Sequence, residues 1–197
     1  MSPIKTSYAI GTDELSLADM RNFRAQALAL GIDAAVKQGI TTDPSGNGLA
    51  WREAIPNIDM NNPAANGYTH PYYLTSNNTT GFASATWTSV FESAAVPQML
   101  NDRILVFYKC FDLSANPLIT ELKFMLGAGG TSTMGLFHLE GILEVKRTPE
   151  AWFSEPIVYY PAQFMSIQVQ ARAAVATTGE RFGFGCFVIE RAGQTIS

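Results

Sequence analysis

The chain has 197 residues, 47% of them hydrophobic, which suits one core-bearing domain and excludes the disordered class. Charged residues make up only 15%, against about 25% in a typical globular protein. The net charge of −4 and pI near 5.1 exclude a basic footprint for nucleic acid or an acidic membrane. Low charge on ordinary apolar content implies surface that is not left facing water.

Met1–Ile10 lacks the basic and apolar regions of a secretory signal, so synthesis in the cytoplasm is expected. No run approaches the ~20 apolar residues of a membrane span. Residues 1–40 read as a helical arm. Ser16 with Asp19 forms a capping box, and Leu15 with Met20 a hydrophobic staple. Met20, Phe23, Ala27 and Leu30 then make one apolar stripe, which has to lie on the chain's own sheet or on a neighbour. Gly31 is expected to weaken or end this helix, with a second short helical stretch over Asp33–Gln38.

From Thr41 to about Asn101 the chain is turn-rich, and short strands are expected around Tyr72–Thr75 and Ala85–Phe91. Within it, Met60–Asn101 carries one formal charge, Glu92, among Tyr68, Tyr72, Tyr73, Phe82, Trp87 and Phe91. Uncharged, amide-rich and aromatic composition belongs to surface that ends against another surface. The candidate interface residues are therefore Met20, Phe23, Tyr68, Tyr72, Tyr73, Phe82, Trp87 and Phe91.

A train of strands follows, so residues 41–197 read as a single β-sandwich domain with a charge-poor excursion at about 60–101. Arg103–Phe111 is apolar on both faces, as a strand covered on two sides would be. In Leu118–Leu126, Leu118, Leu122, Phe124 and Leu126 alternate against Ile119, Glu121 and Lys123. Leu136–Val145 places Phe137, Leu139, Leu143 and Val145 on one face, and Pro156–Tyr160 is a short strand closed by Pro161. The last two strands, from Met165 to Arg172 and from Phe182 to Ile189, alternate cleanly. Turn clusters at this spacing indicate an antiparallel sandwich or barrel.

The search for chemistry yields no catalytic, cofactor-binding or metal-binding residue. His138 and Glu140 would share a strand face, yet a metal site wants three or four ligands; a solvated or salt-bridged face is preferred. His70 reads as a loop residue, and Glu150 and Glu155 as loop acids flanking an anchoring Trp152. Cys110 and Cys186 read as buried free thiols, with a disulfide between two strands as the alternative. Gly183 and Gly185 share a strand face that invites close approach by an aromatic or helix of the same chain, or by a neighbour's segment.

The ending EPIVYYPAQFMSIQVQARAAVATTGERFGFGCFVIERAG resembles the last strands of jelly-roll proteins of virus and phage particles. The likeness is one of strand rhythm: an extended segment, a Pro turn, an alternating strand, a Gly turn and a glycine- and aromatic-rich final strand. The resemblance implies a mainly β, jelly-roll sandwich with an N-terminal helical arm. It also implies a structural virion subunit without enzymatic activity or cofactor, whose partners are copies of itself and other virion proteins. The alternatives are a carbohydrate- or ligand-binding sandwich with exposed aromatics, and a divergent cupin-like metalloenzyme centred on His138 and Glu140.

Overall fold

Period-two alternation in the second half of the chain and a single helical stripe near its start build the described structure. The computed structural model describes residues 7–40, 48–54, 83–92, 103–114, 116–127, 131–143, 148–174 and 182–192. The elements are β1 (Ala9–Gly11), a 3-10 turn (Thr12–Glu14), α1 (Leu17–Lys37), β2 (Leu49–Glu53), β3 (Thr88–Glu92) and β4 (Arg103–Asp112). They continue with β5 (Ile119–Leu126), β6 (Ser132–His138), β7 (Glu150–Tyr159), β8 (Met165–Ala171) and β9 (Phe182–Arg191).

The strands form two antiparallel sheets, one ordered β1-β7-β4-β9-β2 and the other β3-β8-β5-β6. Alternate residues of β4, β7 and β9 meet those of β5, β6 and β8 in one core, as two packed sheets do. Phe124 lies at the centre of an aromatic lattice, with ring centroids 5.1 Å from Phe107, 5.6 Å from Phe153 and 5.7 Å from Phe184. The Tyr159 hydroxyl, buried within the lattice, donates to the Met125 carbonyl at 2.9 Å, so its polar tip is satisfied.

The opposite face of the five-stranded sheet carries α1. Ile104, Val106, Tyr108, Trp152, Phe187 and Ile189 pack there against Ala27, Ala34 and Ala35. Ser16 caps the helix: its hydroxyl accepts from the Asp19 N–H at 3.2 Å, while the Asp19 carboxylate accepts from the Ser16 N–H at 3.0 Å. The capping box is therefore where the sequence places it.

The helix is one element, not two. Gly31 does not end it because the buried face needs a residue without a side chain there. A Cβ at Gly31 would stand 2.1 Å from Ile189 Cδ1 and 2.6 Å from Val106 Cγ2. Close packing thus overrides the intrinsic cost of a helical glycine, about 1 kcal/mol relative to alanine. The stripe accordingly runs Met20, Phe23, Ala27, Gly31 and Ala34, and Leu30 falls at its exposed edge.

Other expectations shift for local reasons. In β5 the pairing with β8 slips between Ile119 and Glu121, and Ile119 enters the core with Leu122 and Phe124 instead of opposing them. The strand expected over Leu136–Val145 begins at Ser132 and ends at His138. Leu139 and Leu143 still reach the core, but from a turn in which the Ile142 N–H donates to the Leu139 carbonyl at 3.0 Å. The strand expected from Pro156 begins six residues earlier, so Glu150, Trp152 and Glu155 are strand residues, not loop residues. Ala85 adopts a left-handed φ of 52°, and the strand expected from there begins at Thr88. Two short edge strands, β1 and β2, were not anticipated.

Candidate interaction surfaces

The helix layer is closed at its rim by polar side chains. Tyr108 sits where β4 slips register against both of its neighbours, between Phe107 and Lys109. The slip leaves Tyr108 on the helix face with Ile104 and Val106 and puts Cys110 into the core between the sheets; the Tyr108 ring stacks on Phe187 at 5.0 Å. Its hydroxyl donates to both Glu53 carboxylate oxygens, at 3.1 and 3.3 Å. Arg24 donates to the same carboxylate at 2.8 Å and lies over the rings of Phe187 and Trp51. Burial and the neighbouring Glu53 charge push the Tyr108 hydroxyl well above the ordinary tyrosine range, so it stays a donor.

A second rim network lies on the β7 side. Trp152 Nε1 donates to Thr12 Oγ1 at 2.9 Å, and Lys109 Nζ donates to Glu150 at 3.1 Å while lying over the Trp152 ring. Trp152 is 5% exposed. It is therefore a core anchor beneath the helix and cannot act as a platform for a sugar. Gly185 serves the same packing. A Cβ there would meet the Lys109 stem at 2.5 Å and Tyr108 at 2.9 Å, so residues of the same chain cover it.

The outer face of the four-stranded sheet is polar and half-buried. Lys123 Nζ lies 4.1 Å from the Trp87 ring centroid, and Gln168 and Gln170 stand on the β8 strand beside it. His138 Nδ1 is 3.0 Å from Glu121, its cross-strand partner. Glu140 lies in the turn beyond β6, so the shared strand face expected for His138 and Glu140 is not formed, and Glu144 lies outside the described residues. Among the described residues no three His, Cys, Asp or Glu converge as metal ligands.

Buried charge is concentrated at two places. Arg103 and Glu190 approach to 3.0 Å on adjacent strands, with Arg52 on the other carboxylate oxygen at 3.3 Å. At the far end of β4, Asp112 is fully buried; its Oδ1 accepts from the Ser114 N–H at 2.9 Å, and its Oδ2 has no partner among the described residues. Cys110 and Cys186 are free and buried, as the sequence suggests. Burial, followed by the charge of Asp112, pushes the Cys110 thiol well above its usual range and makes it a poor nucleophile.

Of the expected interface residues, Met20 and Phe23 are half-buried against the chain's own sheet, in the helix layer. The Phe23 ring lies 6.4 Å from Trp152. Trp87 is half-buried beside Lys123. Phe91 lies in β3, with its side chain outside the described set, as are Tyr68, Tyr72, Tyr73, Phe82 and His70 altogether. Large apolar side chains that do face solvent are Tyr8, Leu17, Leu30, Val36, Trp51 and Leu113. None of these six, of which Leu17, Leu30 and Val36 lie on α1 and Trp51 on β2, was among the expected interface residues. The signal for those on α1 was the run of small and apolar residues Ala18, Ala25, Ala29 and Val36 opposite the buried stripe.

Among the described residues no helix is long and apolar enough to cross a membrane. Comparison with protein-family models, with curated proteins and with solved structures finds no match to this chain.

Proposed function

We propose that this chain is a structural subunit of a virus or phage particle (capsid, cement or related virion protein) that acts by self-assembly on a jelly-roll sandwich. The observation that carries the reading is strand order. The five-stranded sheet contains β2-β9-β4-β7 and the facing sheet is β3-β8-β5-β6. Two interleaved Greek keys would give this order, and that agreement supports the jelly-roll reading. Because the same topology hosts lectins and enzymes, the role rests on the surface as well. Its supports are the low charge of the chain, the exposed leucine, valine and tryptophan around the helix layer, and, in the sequence, the aromatic composition of Met60–Asn101 with its single formal charge.

In this role the helix and its sheet form the rigid body, and neighbouring copies bury apolar and amide surface between them. Each contact gains roughly 25 cal/mol per Å² of apolar area before association costs are subtracted. Size-exclusion chromatography with light scattering, followed by electron microscopy of concentrated protein, tests the reading. Oligomers or particles are expected, and a species that stays monomeric at high concentration overturns it.

A second reading, a carbohydrate-binding sandwich, is favoured by one observation: the half-exposed Trp87 with Lys123, Gln168 and Gln170 on a polar sheet face. Glycan retention lost in Trp87→Ala would support it over assembly. The cupin-like reading on His138 and Glu140 loses its geometric basis, since the imidazole pairs with Glu121 and the strand ends before Glu140.

A further inference from the structure

We infer that the edge of β6, unpaired among the described residues, is a self-pairing surface, where β6 of a second copy adds antiparallel to extend the four-stranded sheet into a continuous eight-stranded one. The inference deepens the self-assembly reading and rests on it. β6 lies at the end of its sheet, paired among the described residues with β5 alone. An edge strand presents a row of unpaired N–H and C=O groups, and the ligand that satisfies such a row is another extended backbone. Proteins that remain monomeric blunt such edges with lysine, proline, inward-pointing charge or a bulge. Ser132-Thr133-Met134-Gly135-Leu136-Phe137-His138 contains no proline and no acidic, lysine or arginine side chain.

One of these devices is present, and it fixes the usable part. β6 pairs Gly135 with Phe124 and then Thr133 with Met125, so Met134 is the extra residue of a bulge. The regular stretch is therefore Gly135–His138. Within it the outward-aimed residues follow from the ladder. The Leu139 N–H donates to the Thr120 carbonyl at 2.7 Å, so Leu139 and Phe137 aim their backbone groups at β5. By alternation Leu136 and His138 aim theirs at the open edge.

Same-face pairing of two identical antiparallel strands needs a centre that keeps residue parity, and Leu136 opposite Leu136 of the second copy meets this need. It keeps both bulges at the periphery and gives the two outward-aimed leucines a hydrogen-bonded pair. It also places two half-buried leucine side chains against each other. Self-pairing is favoured over pairing with an unrelated segment because an uncharged strand meets no like charge when it meets itself. His138, the one ionisable side chain on β6, falls opposite Met134 of the second copy instead of opposite its own equivalent.

The test is a cysteine placed at the centre. Cys110 and Cys186 are buried, so in Leu136→Cys the new thiol is the accessible one. Hydrogen-bonded antiparallel partners have Cα atoms about 5.5 Å apart, inside the roughly 4.4–6.8 Å that a disulfide spans. Mild oxidation of L136C should therefore convert most of the protein to a linked dimer. Leu136→Lys should shift the assembled species to smaller size while leaving the thermal midpoint unchanged. Wild-type protein that assembles while L136C stays unlinked, or L136K that assembles as wild type does, overturns the edge proposal and leaves the self-assembly reading standing. A strictly monomeric wild type overturns both.

Discussion

The two cores of this molecule are built on opposite plans. Between the sheets, Phe107, Phe124, Phe137, Phe153, Tyr159, Phe182 and Phe184 fill the space with large rings contributed from both sides. Beneath the helix the large groups belong to the sheet, and the helix offers Ala27, Gly31, Ala34 and Ala35. The first core is sealed, with one hydroxyl satisfied inside it. The second is shallow and rimmed by the polar side chains of Arg24, Glu53, Lys109 and Glu150, with the buried Tyr108 hydroxyl bonded to Glu53. The two packed sheets are therefore held by volume, and the helix by closeness of approach and by edge fastenings.

Removing a ring from the sealed core should cost most. Phe124→Ala is expected to destabilise by about 3–5 kcal/mol, lowering the denaturant midpoint and speeding thiol labelling of Cys110 and Cys186 together. Unchanged labelling would show that the two sheets do not open as one unit. Next comes the helix contact. Gly31→Ala gains helix propensity, yet its methyl group must displace Ile189 and Val106. Overpacking of this kind costs about 1–3 kcal/mol, so net destabilisation read by chemical denaturation is expected. A more stable variant would show that the helix layer yields easily.

Ser16→Ala, which removes the cap, should cost about 1 kcal/mol and raise amide exchange in the first turn of α1 before anything in the sheets. The cap also predicts a pH dependence. Hydrogen bonds from the Ser16 side chain and backbone hold the Asp19 carboxyl below its ordinary 3.8. A depressed carboxyl stabilises the fold fully above the unfolded value and loses that contribution as pH falls through the folded one. Helix protection measured by exchange should therefore decline below about pH 4 in wild type and decline less in Ser16→Ala. The smallest effect is expected at the rim. Arg24 and Glu53 side chains are about half exposed, so a double-mutant cycle should return no more than about 1 kcal/mol.

The same contrast explains what the sequence made legible. β8 and β9 were readable because unbroken alternation records a strand with two distinct faces. The capping box was readable because it is local chemistry. β1 and β2 were not, since segments of three and five residues at sheet edges carry too little alternation to register. The bulges at Tyr108 and near Ile119 break the period that sequence reading relies on: beyond the first, Cys110 joins the core between the sheets instead of the face of Tyr108, and at the second Ile119 enters the core it was expected to oppose. Gly31 was misread because a glycine that ends a helix and one that admits a neighbour look identical until the neighbour is known. As candidate interface, Met20 and Phe23 were legible as an apolar stripe, while the choice between own sheet and neighbour was not. That choice depends on strands that lie more than sixty residues further along the chain.

The position of β9 has a consequence for how the molecule is made. It lies between β4 and β2 in its sheet, carries Phe187 and Ile189 into the helix contact, and is the last of the described strands in chain order. On a ribosome adding roughly 5–20 residues per second, α1 emerges long before the surface that receives it. The edge strand β2 waits as long, since the partner that it holds through Trp51 and Ile189 lies 138 residues away. The earliest segments are thus the last to find their places, and the nascent chain spends several seconds with its helix stripe bare.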